Sequence, residues 1–349
     1  MKIAVDTSPV SMSSSSAHKV RGVGAYINML VTNLRRFDKS NEYVFVEDKN
    51  FPHDADIVHY PYFDPFFITL PNKFPTKTVV TVHDLTPLVF PKHFPSGIKG
   101  KIKWLIQRSR LKKANMVVVD SDCSGRDVRD IGGVVAERIR TVYLAADERF
   151  VRLKPQDLSD VRNKFLLPDN FLLYVGDATW NKNLPRLIAA VSRTKYQLIM
   201  VGKVWENRSS DVSDNSWNLD LKKVLSEIES NKQFMRLGFV SDDDLVKIYN
   251  LAGALMMPSM YEGFGLPVLE AMSCGCPVIC SKKGSLPEVG GDAVLYIDEQ
   301  NSENISKGIE KVINDESFKK QLSQKGLEQS KKFSVEKSIK DLVTIYEQI

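Results

Sequence analysis

Short apolar runs alternate with longer stretches of helical period along the whole chain, and this alternation restricts the fold more than any other feature. Apolar runs bounded by turn residues read as strands buried on both faces, and parallel strands of that kind need a helix between them. The opening MKIAVD is such a strand, followed by a Gly-containing turn and a helix over Ala25–Leu34. Further strands are expected at Glu42–Glu47, Asp56–His59, Lys77–Val82, Met116–Asp120 and Arg140–Val142. A basic helix and a helix near Ser124–Ile131 lie between the last of these. The pattern then restarts, with strands at Phe171–Val175, Gln197–Val201, Phe234–Leu237, Ala254–Met257, Pro277–Cys280 and Ala293–Tyr296.

Two successive patterns in 349 residues predict an α/β protein of two doubly wound, Rossmann-like domains. The first spans 1–152, a polar linker with Pro155 and Pro168 spans 153–169, and the second domain spans 170–333. Val335, Ile339, Leu342, Val343 and Tyr346 place one apolar face on a final helix over 334–349. Ligands of open α/β sheets bind beyond the carboxyl ends of the strands. Two such domains facing a central cleft suit an enzyme that brings two substrates together.

Composition narrows the class. The chain is 43% hydrophobic and 26% charged, as expected of a globular protein. No apolar run approaches the roughly 20 residues of a membrane-spanning helix, and MKIAVDTSPV is interrupted by Asp6 and Pro9 too early for a secretory segment. Cys123, Cys274, Cys276 and Cys280 have neither a disulfide nor a zinc spacing and read as buried thiols, so a cytoplasmic location is expected. Residues 1–150 hold 22 Lys+Arg against 16 Asp+Glu, whereas the remainder holds 26 against 27. The surplus peaks at Lys99, Lys101, Lys103, Arg108, Arg110, Lys112 and Lys113, with no acid among them. Ile98, Ile102, Leu105 and Ile106 form a stripe on the same helix. It reads either as packed on the sheet with a solvated basic face, or as an interfacial helix for an anionic membrane.

The segment richest in chemistry is ALMMPSMYEGFGLPVLEAMSCGCPV, Ala254–Val278. A strand ends at Pro258 and Ser259; Glu262, Gly263, Phe264 and Gly265 follow, and Pro267 opens a helix. The glycines let backbone approach a ligand, and the helix start offers free N–H groups. Glu262 and Glu270 then lie at different depths of one pocket, and carboxylates accept hydrogen bonds from paired sugar hydroxyls. Asp242–Asp244 begins a helix, where acids suit capping and the macrodipole better than a metal. His18, His53, His59, His83 and His93 have no metal-ligand spacing, and His59 and His93 alone read as packed or surface residues. Gly22-Val23-Gly24 lacks the third glycine of a dinucleotide fingerprint, which argues against an NAD-dependent oxidoreductase. The sequence pI of 8.8 invites a nucleic-acid reading, but the surplus is local and no recognised module accompanies it.

The stretch Gly238–Asp298, with its Glu262–Glu270 spacing, resembles the family 4 (group 1) retaining glycosyltransferases of GT-B fold. The likeness extends over most of the chain through GVGAY (Gly22–Tyr26), VVTVHDLTPL (Val79–Leu88), VVDSDCS (Val118–Ser124), YVGDATWNKNL (Tyr174–Leu184) and the last helix. It implies a nucleotide-sugar co-substrate, no cofactor and no metal, an acceptor-binding N-terminal domain, and a C-terminal helix that crosses back onto that domain. By the same resemblance Glu270 binds the donor ribose, and Glu262 with Gly263, Phe264, Gly265 and Leu266 holds the sugar and diphosphate. Lys182 neutralises the diphosphate, Gly22 and Gly24 let a loop approach it, and His83 lies near the sugar in transfer.

One departure stands out. Asn181-Lys182-Asn183 occupies a place where the family usually has Arg-Lys-Asn, and Asp177 stands where a neutral or basic residue is common. A leaving diphosphate short of one cation needs another, for which Lys203 is preferred over Arg21 or a helix N-terminus. The segment around His83 is similar to bacterial polysaccharide mannosyltransferases. GDP-mannose is therefore favoured over UDP-sugars, with a lipid-linked or growing glycan as acceptor. A UDP-sugar transferase, a GT-B epimerase or a non-catalytic member of the fold are the alternatives.

Overall fold

The computed structural model describes residues 1–10 and 22–349, so His18 and Arg21 lie outside the described residues. The chain forms two compact units, Met1–Ala145 with Phe333–Ile349, and Ala146–Lys332. In the first, six parallel strands stand in the order β2-β1-β3-β4-β5-β6: β1 Lys2–Asp6, β2 Glu42–Val46, β3 Ile57–Tyr60, β4 Lys77–Val82, β5 Met116–Val119 and β6 Ile139–Thr141. Its helices are α1 Gly22–Phe37, α2 Thr86–Val89, α3 Gly97–Leu111, α4 Asp122–Asp127 and the chain's last helix, Val335–Glu347.

In the second unit β7 Leu172–Val175, β8 Leu198–Val201, β9 Phe234–Gly238, β10 Ala254–Met257, β11 Val278–Ser281 and β12 Leu295–Ile297 stand in the order β12-β11-β10-β7-β8-β9. Its helices are α5 Ser159–Phe165, α6 Leu184–Val191, α7 Leu219–Ile228, α8 Asp242–Leu251, α9 Leu266–Ser273, α10 Leu286–Gly290, α11 Ser302–Asn314 and α12 Glu316–Ser330; the last helix is therefore α13. Every apolar run assigned to a strand forms one, with ends displaced by no more than two residues.

The central strands β3, β5, β7, β8, β10 and β11 are buried at every residue, because helices cover both faces of each sheet. One face of the first sheet gathers Ile3, Val5, Ile57, Val79 and Val118 with Tyr26, Leu30 and Leu34 of α1 and Ile339, Leu342, Ile345 and Tyr346 of α13. Each such side chain contributes on the order of 2 kcal/mol by leaving water. The final helix is thus a core element of the first unit. In both sheets the strand order reverses once, between β1 and β3 and between β7 and β10. A crevice opens at such a reversal, because the flanking connections leave toward opposite faces.

Four details differ from the sequence reading. Gly22 and Gly24 form the first turn of α1 and do not belong to a preceding turn. The helix near Ser124–Ile131 is the short α4 running into a π-turn over Val128–Gly132. The stretch 153–169 is no free linker. It holds a 3-10 turn, Pro155–Leu158, and α5, which Val161 anchors in the second unit while Lys164–Asp244 (2.7 Å) and Lys247–Asp160 (2.5 Å) join it to α8. Finally, the apolar stripe of α3 is not packed on the sheet: Ile98, Ile102, Leu105 and Ile106 are exposed, and Gly100, Gln107 and Leu111 face inward.

Candidate active site

The reversal in the second unit lies between β7 and β10, and the loops after these two strands carry the charged centre. After β7 the chain makes a 3-10 turn, Trp180–Lys182, and Asn183 then takes a left-handed conformation (φ 58°) that starts α6. After β10 it passes Ser259 and reaches Glu262, which is 7% exposed. The Lys182 ammonium donates to both Glu262 carboxylate oxygens at 2.9 Å, and the Ser259 hydroxyl donates to one of them at 2.6 Å. Two residues expected at the donor's sugar and diphosphate are thus joined in one ion pair, with Glu262 buried and Lys182 half-buried.

Backbone ties hold that pair in place. Asn181, which stands where an arginine was anticipated, is buried and cannot serve as a phosphate cation. Its amide nitrogen donates to the Tyr261 carbonyl at 3.0 Å, and its own carbonyl accepts from the Met260 N–H at 2.7 Å. The Asn183 side chain donates to the carbonyls of Pro258 and Glu299 at 3.0 and 2.7 Å. The asparagines on either side of Lys182 therefore stitch its turn to the Glu262 loop. From the other side, the Ser285 hydroxyl donates to the carbonyls of Glu262 (3.0 Å) and Phe264 (2.6 Å). At Gly284 (φ 58°) a Cβ would stand 2.5 Å from the Glu262 carbonyl oxygen and 2.7 Å from its nitrogen. Only glycine permits this approach. Ser259, Gly284 and Ser285 were not read as site residues: Gly284 and Ser285 reach Glu262 from a loop more than 20 residues on, and Ser259, three residues before Glu262, has no signature until its hydroxyl is seen on the carboxylate.

Gly263, Phe264 and Gly265 are buried, and Gly265 (φ 98°) turns the chain into α9, with Leu266 and Pro267 as its first residues. Glu270 lies further along α9, half-buried, and accepts from the Tyr249 hydroxyl at 2.8 Å. Burial, with the Glu270 charge beside it, raises the Tyr249 phenol well above its usual value, so that hydroxyl stays a donor. Lys203 begins a 3-10 turn after β8, the strand next to β7, and is exposed. Asp177 is exposed and turned onto Thr179. Asp242–Asp244 begins α8 behind a Ser241 cap, with Asp242 on Arg149 and Asp244 on Lys164. The four cysteines are free and buried.

In the first unit, the ends of the neighbouring strands β3, β4 and β5 converge on His83. Its Nδ1 is 2.7 Å from Asp120 Oδ2, and its Nε2 is 3.1 Å from the Pro61 carbonyl oxygen. A carbonyl only accepts, so Nε2 carries a proton. Burial alone would pull the imidazole down, but the Asp120 carboxylate, with Asp84 further off, raises it above the usual histidine value. The other Asp120 oxygen, Oδ1, is buried with no hydrogen-bond partner. Tyr26 of α1 sets its ring edge-on to His83 at 5.0 Å, which brings the helix that begins with Gly22 and Gly24 to the histidine. His59 is fully buried between Tyr346 (2.7 Å) and Thr81 (2.8 Å), and burial pushes it down to about 3. It is a packed residue. Asp120 was not singled out from sequence, since an acid ending a strand has no signature until its neighbour is known.

Residues 157–329 match the family described as Glycosyl transferases group 1, and residues 17–150 match Glycosyltransferase Family 4. O-antigen chain mannosyltransferase B of Escherichia coli is 32% identical over 301 residues, covering 83% of this chain and 75% of that protein. The serotype-specific mannosyltransferase WbdA of Escherichia coli is 28% identical over 284 residues, which cover 78% of this chain but only 33% of WbdA. Among solved structures, sucrose-phosphate synthase from Thermosynechococcus elongatus aligns over 100% of this chain and 98% of its own with a TM-score of 0.77 at 18% identity. Anabaena HepE in complex with UDP and glucose aligns over 100% of both chains with a TM-score of 0.75 at 17% identity. Both have the two-unit α/β architecture described above, the GT-B fold. With both halves matched and a 32% identical relative over most of its length, the chain belongs to the group 1, family 4 glycosyltransferases.

Proposed function

We propose that this glycosyltransferase moves mannose from GDP-mannose to a lipid-linked or growing glycan in surface polysaccharide synthesis, in the cytoplasm and with retention of anomeric configuration. The observation that carries this reading is the Lys182–Glu262 pair at the β7/β10 reversal, in a chain whose relatives are named as O-antigen mannosyltransferases. In this reading the bond between the sugar's anomeric carbon and the diphosphate breaks, and its electron pair leaves on phosphate oxygen. The acceptor hydroxyl oxygen forms the new bond on the same face, and its proton passes to the departing phosphate. The leaving group is already activated, so the chain's task is positioning and charge stabilisation, with no cofactor or metal required. Lys182 and Lys203 supply positive charge to the diphosphate. The turn Gly263–Leu266 supplies backbone N–H groups, Glu262 orients the sugar, Glu270 binds the ribose, and His83 lies against the sugar in transfer beside Gly22 and Gly24.

A UDP-sugar donor is the second reading, because structures of HepE hold UDP and UDP-glucose. Thermal-shift measurements with GDP, UDP, GDP-mannose and UDP-glucose separate the two. Stabilisation by the guanosine ligands, followed by mannose transfer, is the expected result; stabilisation by the uridine ligands alone would refute GDP-mannose. Cleavage of no nucleotide sugar, with or without glycan acceptors, would leave an epimerase or a non-catalytic protein of this fold.

A further inference from the structure

Helix α3 is assembled the wrong way round for a helix that only packs on a sheet. Its inward positions are Gly100, Gln107 and Leu111, whereas Ile98 is 79% exposed, Leu105 63% and Ile102 54%. A surface stripe of this kind forgoes the stabilisation its side chains would gain by leaving water. A single exposed leucine needs no explanation, but a contiguous row on one helix does.

The row is extended by a neighbouring loop that is rigidly held. The Gln107 side chain is fully buried; its amide nitrogen donates to Thr69 Oγ1 at 2.6 Å and to the Asp64 carbonyl at 3.2 Å, and its oxygen accepts from the Leu70 N–H at 3.4 Å. The Asp64 carboxylate accepts from the Phe66 and Phe67 N–H groups at 2.7 and 3.1 Å and from the Tyr62 hydroxyl at 2.9 Å, so the one acid here is engaged inside the loop. The tip so fixed presents Phe67 (63% exposed) and Ile68, with the Lys103 ammonium 5.0 Å above the Phe67 ring.

Charge identifies the occupant. Arg108 and Arg110 turn inward, donating to the carbonyls of Gly132 (3.2 Å) and Leu70 (2.6 Å). Lys99, Lys101, Lys103, Lys112 and Lys113 remain beside the apolar row, and none forms an ion pair among the described residues. We propose that the outward face of α3 and the Phe67–Ile68 tip form one docking surface for an anionic phospholipid bilayer. The apolar side chains enter the headgroup boundary while the lysines lie among lipid phosphates. No helix among the described residues is long and apolar enough to cross a membrane, so this surface acts by lying on the bilayer.

The test is co-sedimentation of the full chain with vesicles of phosphatidylcholine alone and of phosphatidylcholine mixed with phosphatidylglycerol. Binding is expected to the mixed vesicles, to weaken as salt rises, and to fall about fivefold for each lysine removed in Lys101→Ala, Lys112→Ala and Lys113→Ala. Ile102→Ser with Leu105→Ser should abolish it. These side chains are exposed, so thermal melts report that each variant folds as the parent does. Equal binding to both vesicle types, or indifference to the lysine changes, would overturn the proposal. So would a self-association in sedimentation equilibrium that Leu105→Ser abolishes, since the face would then belong to a second copy of the chain. No sugar donor enters the assay, so its outcome is independent of the transfer reaction.

Discussion

Replacing Lys182 by methionine removes the ammonium that both oxygens of Glu262 share and leaves a carboxylate 7% exposed with the Ser259 hydroxyl as its remaining side-chain donor named in the site. At 2.9 Å the gross attraction is about 6 kcal/mol for an effective dielectric of ~20. Desolvation of both groups and the ordering of a long side chain take back roughly half of it, so Lys182→Met should destabilise by about 3 kcal/mol. Glu262→Gln keeps the shape and leaves an ammonium that can reach solvent, at a cost of about 1 kcal/mol. The double variant has no buried charge to strand. It should be more stable than the sum of the two, with a coupling energy of about 2 kcal/mol. Urea unfolding followed by tryptophan fluorescence is the assay. Of the four tryptophans, Trp180, Trp205 and Trp217 lie in the second unit and Trp104 in the first, so most of the signal comes from the unit that carries the pair. Additivity within about 0.5 kcal/mol would refute the pairing argument. Catalysis is a separate readout: each single variant should lose on the order of a hundredfold in transfer, as when one preorganised charge partner is removed.

Other outcomes follow from contacts equally specific. Gly284→Ala forces a Cβ to within 2.5 Å of the Glu262 carbonyl at a left-handed residue, and should cost about 2–3 kcal/mol and lower transfer; an unchanged melt and rate would show that the loop yields. Asp120→Asn removes the carboxylate that raises His83, so NMR titration of the imidazole should move from above 6.5 to below it; an unmoved titration would refute the coupling. The linkage sign is fixed by the same direction. With its folded value raised, His83 contributes stability that is full below pH 6.5 and lost as pH rises through the folded value, and Asp120→Asn should flatten that part of the stability profile.

Much of the architecture was legible in the amino-acid order. Buried parallel strands must be apolar at nearly every position, so runs such as Ala254–Met257 announce themselves, and the spacing of Ile339, Leu342 and Tyr346 declares a helix with one face to bury. Helix α5 was overlooked because it buries so little, with Val161 the one buried residue among its seven. The Glu262–Glu270 segment drew notice for another reason, since its charges and glycines fall within nine residues of sequence. What they touch was not legible. Asn181 invited a reading as a missing cation, and only the fold makes it a tie to the Tyr261 carbonyl, 80 positions away.

The sequence by itself determined two α/β units and the family, and it singled out the residues from Glu262 to Glu270 as candidates, because periodicity and local motifs are properties of neighbouring residues. Tertiary structure decided the rest. It paired Lys182 with Glu262, set Asp120 against His83, and turned the apolar side of α3 outward. Each of these depends on which loops meet at a strand end, or on which face of a helix finds a partner. Such contacts join residues far apart in the chain, and no local pattern encodes them.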